Sequence, residues 1–510
     1  MTAAVAVARG GVGDATRAPA RFAWASLAFG ACVFAVLAAV AGRYGYHRDE
    51  LYFLEAGRHL AWGYPDQPPF VPLLARLMND LAPGSVAVLR LPSAVVAAAI
   101  VPLTAAMTRL FGGERGAQLL AAGSIAVSAV LLGAGHMLST TTFDLLAWAV
   151  IWLLVVVILR GGDERLWLAV GVVAGVGLLD DDLVAFLVAA LLGGIAIAGP
   201  RRTFRSPWLW AGGLLAAAMW TPYLVWQARH GWPELTVSRG IANGASGTST
   251  SRWLVLPEQL VIVSLYLAPV WIAGLVRLFR APELCFARAI GWAYVLLAAV
   301  FVISDGKAYY LAGMYPVLLA AGAQPTLGWT RRGRRRLRRS ALGAAFVLSA
   351  FSSLYYGLPL VPLRTLHNTS VVSLNYDIGE TVAWPTYVHE IAAAWDGLPA
   401  SVRAHGAILT SNYGEAGAVD RYGPALGLPA AHSGHMGFWY WGPPPPSTTS
   451  VLGVGFDPGY LEHFFAKVRL VSRLHNHLEV NNDEQHAPLW FAAGLRGSWA
   501  ALWPRFKDLG

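Results

Sequence analysis

Asp49 and Glu50 stand side by side in YHRDELYF, directly after the first long apolar run of the chain. Adjacent carboxylates repel each other and resist dehydration, so a boundary between apolar and polar sequence is a costly place for them. One reading is local: acids in the first turn of a helix gain from its dipole, and Asp is a good N-cap. The other is chemical. A partly dehydrated carboxylate beside a second one has a raised proton affinity, which suits a general base. His47 and Arg48 supply compensating charge at the same place.

Three other groups share this character. Asp144, in LSTTTFDLL, falls in the first turn of an apolar segment, where an ionisable group marks a functional candidate by default. Lys307 is one of three lysines in the chain and precedes Tyr309 and Tyr310; a cation between aromatic rings could hold a phosphate. Asp180, Asp181 and Asp182 form an acidic turn. Three carboxylates could hold a hard cation through oxygen, but a solvated turn ending a helix is the simpler reading. His432 and His435 lack a third ligand in the sequence, and the aromatic run after them suits core packing or stacking on sugar. The sequence secures no cofactor and no metal site, although a divalent cation is compatible with the acids.

The elements that carry these residues belong to a membrane protein. Of the 510 residues 56% are hydrophobic and 13% charged, about half the charge of a soluble domain. Apolar runs of roughly 20 residues predict about eleven spans: 23–42, 86–108, 117–135, 141–159, 165–179, 183–198, 207–226, 254–276, 286–304, 309–328 and 340–357. The first is too long for a signal-peptide core and is expected to be retained.

Arginine concentrates in alternate connections, at Arg9, Arg17 and Arg21, Arg109 and Arg115, Arg160 and Arg165, Arg201–Arg205, Arg277–Arg288 and the run at 331–339. This alternation predicts a cytoplasmic N-terminus and an external C-terminal tail. It also gives the net charge of +9 a topological origin, so nucleic acid is not an expected partner. Cys32 and Cys285 have neither disulfide nor metal spacing.

The resulting organisation is an N-terminal arm (1–22), a helical membrane unit (23–357) and an external tail (358–510). The first outer loop, 43–85, holds two short helices: one from Asp49 to about Trp62, and an amphipathic one through Phe70, Leu73, Leu74, Leu77 and Leu81. In the tail, GAILTSN, TSVLGVGF and APLWFAAGL read as strands, with YGEAGAVDRYG and GYLEHFFAKV as helices. That composition predicts a small α/β domain.

The stretches YHRDELYFLEAGRHLAWGYPDQPPFVPLLARL (46–77), LSTTTFDLL (138–146), GKAYYLAGMYPVLLAAGA (306–323) and SNYGEAGAVDRYG (411–423) occur in this order. Together they resemble the GT-C membrane glycosyltransferases, in particular bacterial family 39 proteins of the protein mannosyltransferase type and the lipid A aminoarabinose transferases. The resemblance implies transfer, with inversion, of a sugar from a polyprenyl-phosphate carrier to a protein, lipid or glycan acceptor at the outer face of the cytoplasmic membrane. It casts Asp49 as general base, Glu50 as its acidic companion and Asp144 as the second-loop acid.

His47, Arg48, Tyr52, Arg58, Asp66, Gln67, Lys307, Tyr309 and Tyr310 are the expected substrate contacts. The aminoarabinose branch has Lys before the first proline of its first-loop motif, where this chain has Gln67. The lipid phosphate would then need Lys307, Arg48 or Arg58. The alternative from another class is a transporter or flippase gated by the same acids.

Overall fold

A computed structural model describes residues 20–249 and 251–510. Most of the predicted arm, together with Arg9 and Arg17, lies outside the described residues. Helices α1 (Ala25–Val40), α2 (Arg48–Arg58), α3 (Phe70–Leu81), α4 (Val86–Leu110), α5 (Arg115–Ala126), α6 (Ala129–His136), α7 (Thr140–Leu159), α8 (Leu166–Leu178), α9 (Leu183–Ala198), α10 (Pro207–Arg229) and α11 (Pro233–Ala242) come first. They are followed by α12 (Arg252–Val263), α13 (Ala268–Arg280), α14 (Arg288–Ile303), α15 (Tyr315–Thr330) and α16 (Arg335–Gly357). The buried core of this part is aliphatic and aromatic, with Trp148 and Trp152 of α7 fully enclosed. Leu214, Trp253, Ile303 and Phe351 stand exposed on its periphery, as lipid-facing side chains would.

Every expected span has a helical counterpart, but not all are single helices. Among the described residues, four helices are long and apolar enough to cross a membrane, or up to six if each bent pair counts as one span. The expected span 254–276 is broken by 111° between α12 and α13. Pro269 sits in the first turn of α13, where it lacks a donor and disfavours helix in the residue before it. The expected span 117–135 bends by 52° at Ser128, whose hydroxyl donates to Ile125 O and caps α6 through Leu131 N.

The expected span 165–179 is a 13-residue helix, α8, about 20 Å long. Its short length leaves the turn at Asp180–Asp182 inside the protein. The Phe70 amide closes over that turn by donating to Leu179 O at 2.9 Å.

The loop after α1 holds both expected short helices, α2 and α3. Asp49 is not the cap of α2. His47 is: its Nδ1 accepts from Asp49 N, and its own amide donates to the Glu50 carboxylate in a capping box.

The tail carries a five-stranded sheet of β1 (Gly406–Thr410), β2 (Ala431–Ser433), β3 (Ser450–Val454), β4 (Phe465–Arg473) and β5 (Pro488–Leu495). The spatial order is β2-β1-β3-β5-β4, with β1 parallel to β2 and β3, and β5 antiparallel to its neighbours. The expected helix in GYLEHFFAKV is only Pro458–Glu462. From Phe465 the same segment is strand β4, which pairs antiparallel with β5 at the edge of the sheet.

One face of the sheet packs on Trp499, Trp503 and Phe506. The other shares a core with Leu51, Phe53, Leu54 and Val71 of α2 and α3. The helix Tyr413–Tyr422 lies directly on α2. A side chain at Gly417 would stand 2.9 Å from Leu51 Cβ, and one at Gly414 would stand 2.9 Å from Arg48 Cβ. Those two glycines bring the tail close enough to touch the first turn of α2.

Candidate active site

Asp49 is the meeting point. Its Oδ1 accepts a 2.7 Å hydrogen bond from the Tyr413 hydroxyl of the tail, and its Oδ2 stands 3.6 Å from His47 Nδ1. The other ring nitrogen of His47 lies 3.8 Å from Asp377. Lys307, 9% exposed, feels the charges of Asp49, Asp377 and Asp181, and its Nζ donates to Ser246 Oγ at 2.8 Å. Although deep in the molecule, the side chains of Asp49 and Asp377 remain 41% and 39% accessible. They line open space.

The electrostatics separate Asp49 from its neighbours. Burial acts to raise its carboxyl, but His47, the Tyr413 hydroxyl, Arg48 and Lys307 outweigh burial and hold it below its ordinary value. Burial pushes Asp66 up to about 7, against the hydrogen bond from Tyr52. Asp182 is likewise raised to about 7, by burial and then by Asp181. Asp181 and Asp377 are raised chiefly by burial. The raised proton affinity expected of Asp49 is therefore not found: near neutral pH it is the ionised member of an acidic group whose other members hold protons more tightly, and so the one free to accept a proton. Lys307 is drawn down by burial against the pull of Asp49, Asp377 and Asp181.

The other expected residues divide into those at the cavity and those used elsewhere. Glu50 is a correction: it is not a free partner of Asp49. Arg90 grips it through Nε at 2.8 Å and Nη2 at 2.7 Å, while His47 N and Leu138 N donate to the remaining lone pairs. With both side chains essentially fully buried, this pair is structural.

Asp144 is 4% exposed, accepts from Trp148 Nε1 at 2.7 Å and stands behind Asp181. Tyr52 donates to Asp66 at 2.8 Å. Gln67 is 4% exposed, and its side-chain amide has no hydrogen-bond partner among the described residues. Tyr309 lies beside Lys307, with the Tyr310 ring 5.2 Å away.

Arg48 and Arg58, the other expected phosphate partners, are each paired with a carboxylate. Arg48 pairs with Asp483 at 2.6 Å and lies over the Tyr413 ring, with its Nε unpartnered among the described residues. Arg58 pairs with Glu55 at 2.6 Å on the exposed side of α2. The acidic turn is a second correction, since Asp180 is 2% exposed rather than solvated. Sequence reasoning also missed Asp377 and Tyr413. Tyr413 lies within the quoted 411–423 stretch; Asp377 carries no local pattern. His435 packs its ring on Tyr413, 4.9 Å between centroids. Among the described residues, no group of three or more His, Cys, Asp or Glu is arranged to hold a metal ion.

Residues 66–226 match the family model described as dolichyl-phosphate-mannose-protein mannosyltransferase. That segment contains Asp66, Asp144 and the acidic turn. The structure of ArnT from Cupriavidus metallidurans in the apo state superposes with a TM-score of 0.60 at 13% identity, over 91% of this chain and 97% of that one. The chain has the GT-C fold. A second ArnT structure from the same organism, bound to undecaprenyl phosphate, gives a TM-score of 0.54 at 15% identity and the same coverage. A comparison with curated protein sequences found no match. In this GT-C chain the first loop, the α8–α9 turn, the segment before α15 and the tail bring their ionisable groups within electrostatic reach of one another.

Proposed function

We propose that the chain is a membrane glycosyltransferase that takes a sugar from a polyprenyl-phosphate carrier, with Asp49 as general base. The observation that carries this reading is the ionised, accessible Asp49 carboxylate within electrostatic reach of Lys307, at the end of apolar helices. A prenyl chain dissolves in the bilayer, so its sugar-phosphate reaches protein at the membrane boundary. The likeness to mannosyltransferases over 66–226 and to an ArnT structure bound to undecaprenyl phosphate supports the choice of donor.

The step balances as a single displacement. The acceptor hydroxyl gives its proton to Asp49 as its oxygen attacks the anomeric carbon. The bond from that carbon to the phosphate oxygen breaks on the opposite face, and the electron pair leaves with the polyprenyl phosphate. Attack opposite the leaving group inverts the anomeric centre. Lys307 offsets the charge that grows on the phosphate, the kind of contact worth most where charge develops. Alternating arginines favour a cavity that opens to the outer face of the cytoplasmic membrane.

The test is to supply the full chain, in lipid nanodiscs, with radiolabelled undecaprenyl-phosphate-linked pentoses and hexoses. Release of undecaprenyl phosphate with transfer of one sugar, to water or to acceptor, is the expected result. No turnover of any such donor would overturn the proposal.

A further inference from the structure

Beside the Asp49 cavity runs an aromatic groove that the donor chemistry leaves unused. It consists of two adjoining cavities of about 330 and 400 Å³ that share His59 and Trp441 as walls, each within the ~300–1,000 Å³ of small-molecule sites. Aromatic and imidazole side chains make up much of its wall. His59 and Trp441 stack at 4.6 Å and 15°, and Trp226 and His230 stack at 4.0 Å and 21°. Tyr440 stands across from the second pair, 5.5 Å from His230 and 72° to it.

Packed side chains connect the groove wall to the chemistry. The Trp441 ring lies 6.0 Å from Tyr52, and the Tyr52 hydroxyl reaches Asp66 while accepting from Gly437 N. The Tyr52 ring in turn packs 4.9 Å from Tyr413, whose hydroxyl holds Asp49. Pro65, in the groove wall, is the residue before Asp66.

We infer that this groove binds the acceptor, and that the acceptor is a neutral glycan. This rests on the glycosyltransferase reading above. The C–H faces of sugar rings stack on aromatic faces, and hydroxyls need planar acceptors and donors at the ring edges. Glu55, Arg58 and Asp420 line the second cavity at the edge of the rings and supply them.

An anionic acceptor finds little here, because the one guanidinium of the lining, Arg58, is already paired with Glu55. A peptide acceptor would add to a sheet edge through backbone hydrogen bonds. The strand along this groove, β2, has its Ala431 amide occupied by Asp420 at 2.8 Å.

The experiment is saturation-transfer NMR on the full chain in nanodiscs, with neutral trisaccharides built of glucose, mannose, galactose or arabinose and a Ser/Thr-rich peptide as the competing class. Saturation transfer to the C–H face of at least one trisaccharide is expected. Trp441→Ala and Trp226→Ala should each weaken that binding about tenfold, and Trp441→Phe, which keeps a ring face, should retain it. No transfer to any of these trisaccharides, or equal transfer in both Ala variants, overturns the inference. Transfer to the peptide alone overturns it in favour of a protein acceptor. Donor turnover by the wild-type chain is read separately, so failure of the glycan inference and failure of the donor reading give different results.

Discussion

The Tyr413 hydroxyl donates to Asp49 Oδ1 across 2.7 Å of space and 364 residues of sequence. The tail therefore does more than cover the membrane part: it supplies a hydrogen bond to the proposed base. The consequence is measurable. Tyr413→Phe removes one of the contacts that hold Asp49 below its ordinary value, so the acid limb of the kcat/KM profile should move to higher pH. A pH–rate series with both proteins checks this.

Glu50 and Asp49 are neighbours with different work, and their variants should separate. Glu50→Gln leaves the buried Arg90 guanidinium without its carboxylate, which should cost about 3–5 kcal/mol of stability. Asp49→Asn should leave the thermal midpoint little changed while abolishing turnover. Thermal unfolding in detergent, set beside activity, distinguishes the two.

Lys307 acts electrostatically on both open carboxylates, Asp49 and Asp377. Lys307→Ala should lower kcat by about 10²–10³ if it stabilises the leaving phosphate. Lys307→Arg, which keeps the charge, should recover part of the loss. Single-turnover rates with saturating donor give the comparison.

Donor binding should weaken as pH rises through about 7. Asp66 and Asp182 are raised to about 7, so they are protonated below that value and ionise above it, adding negative charge near an anionic phosphate. Asp49 lies below its ordinary value and stays ionised across the same window. KM for the donor should therefore climb between about pH 6 and 8 while kcat holds. Asp66→Asn should flatten the climb.

Much of this architecture was legible in the sequence because its signals are local. Apolar length located the helices, the period of Phe70–Leu81 gave α3, and Asp49 announced itself by its position. What failed depends on contacts between distant segments. Nothing near Glu50 reveals that Arg90, on another helix, takes its charge. The Asp180–Asp182 turn reads as solvated until α8 proves too short to carry it to the surface. The start of strand β4 reads as helix because its pairing partner, β5, lies farther along the chain and leaves no local signal. Asp377 and Tyr413 become site residues only when the glycines at 414 and 417 let the tail descend onto α2.

The central claim is that Asp49 takes the acceptor proton. The most direct test is single-turnover transfer from a radiolabelled undecaprenyl-phosphate sugar by wild type and Asp49→Asn, in nanodiscs, with donor binding measured on the same samples. A rate lower by about 10²–10⁴ in the variant, with the donor still bound, is the predicted result. Transfer by Asp49→Asn at the wild-type rate would contradict it.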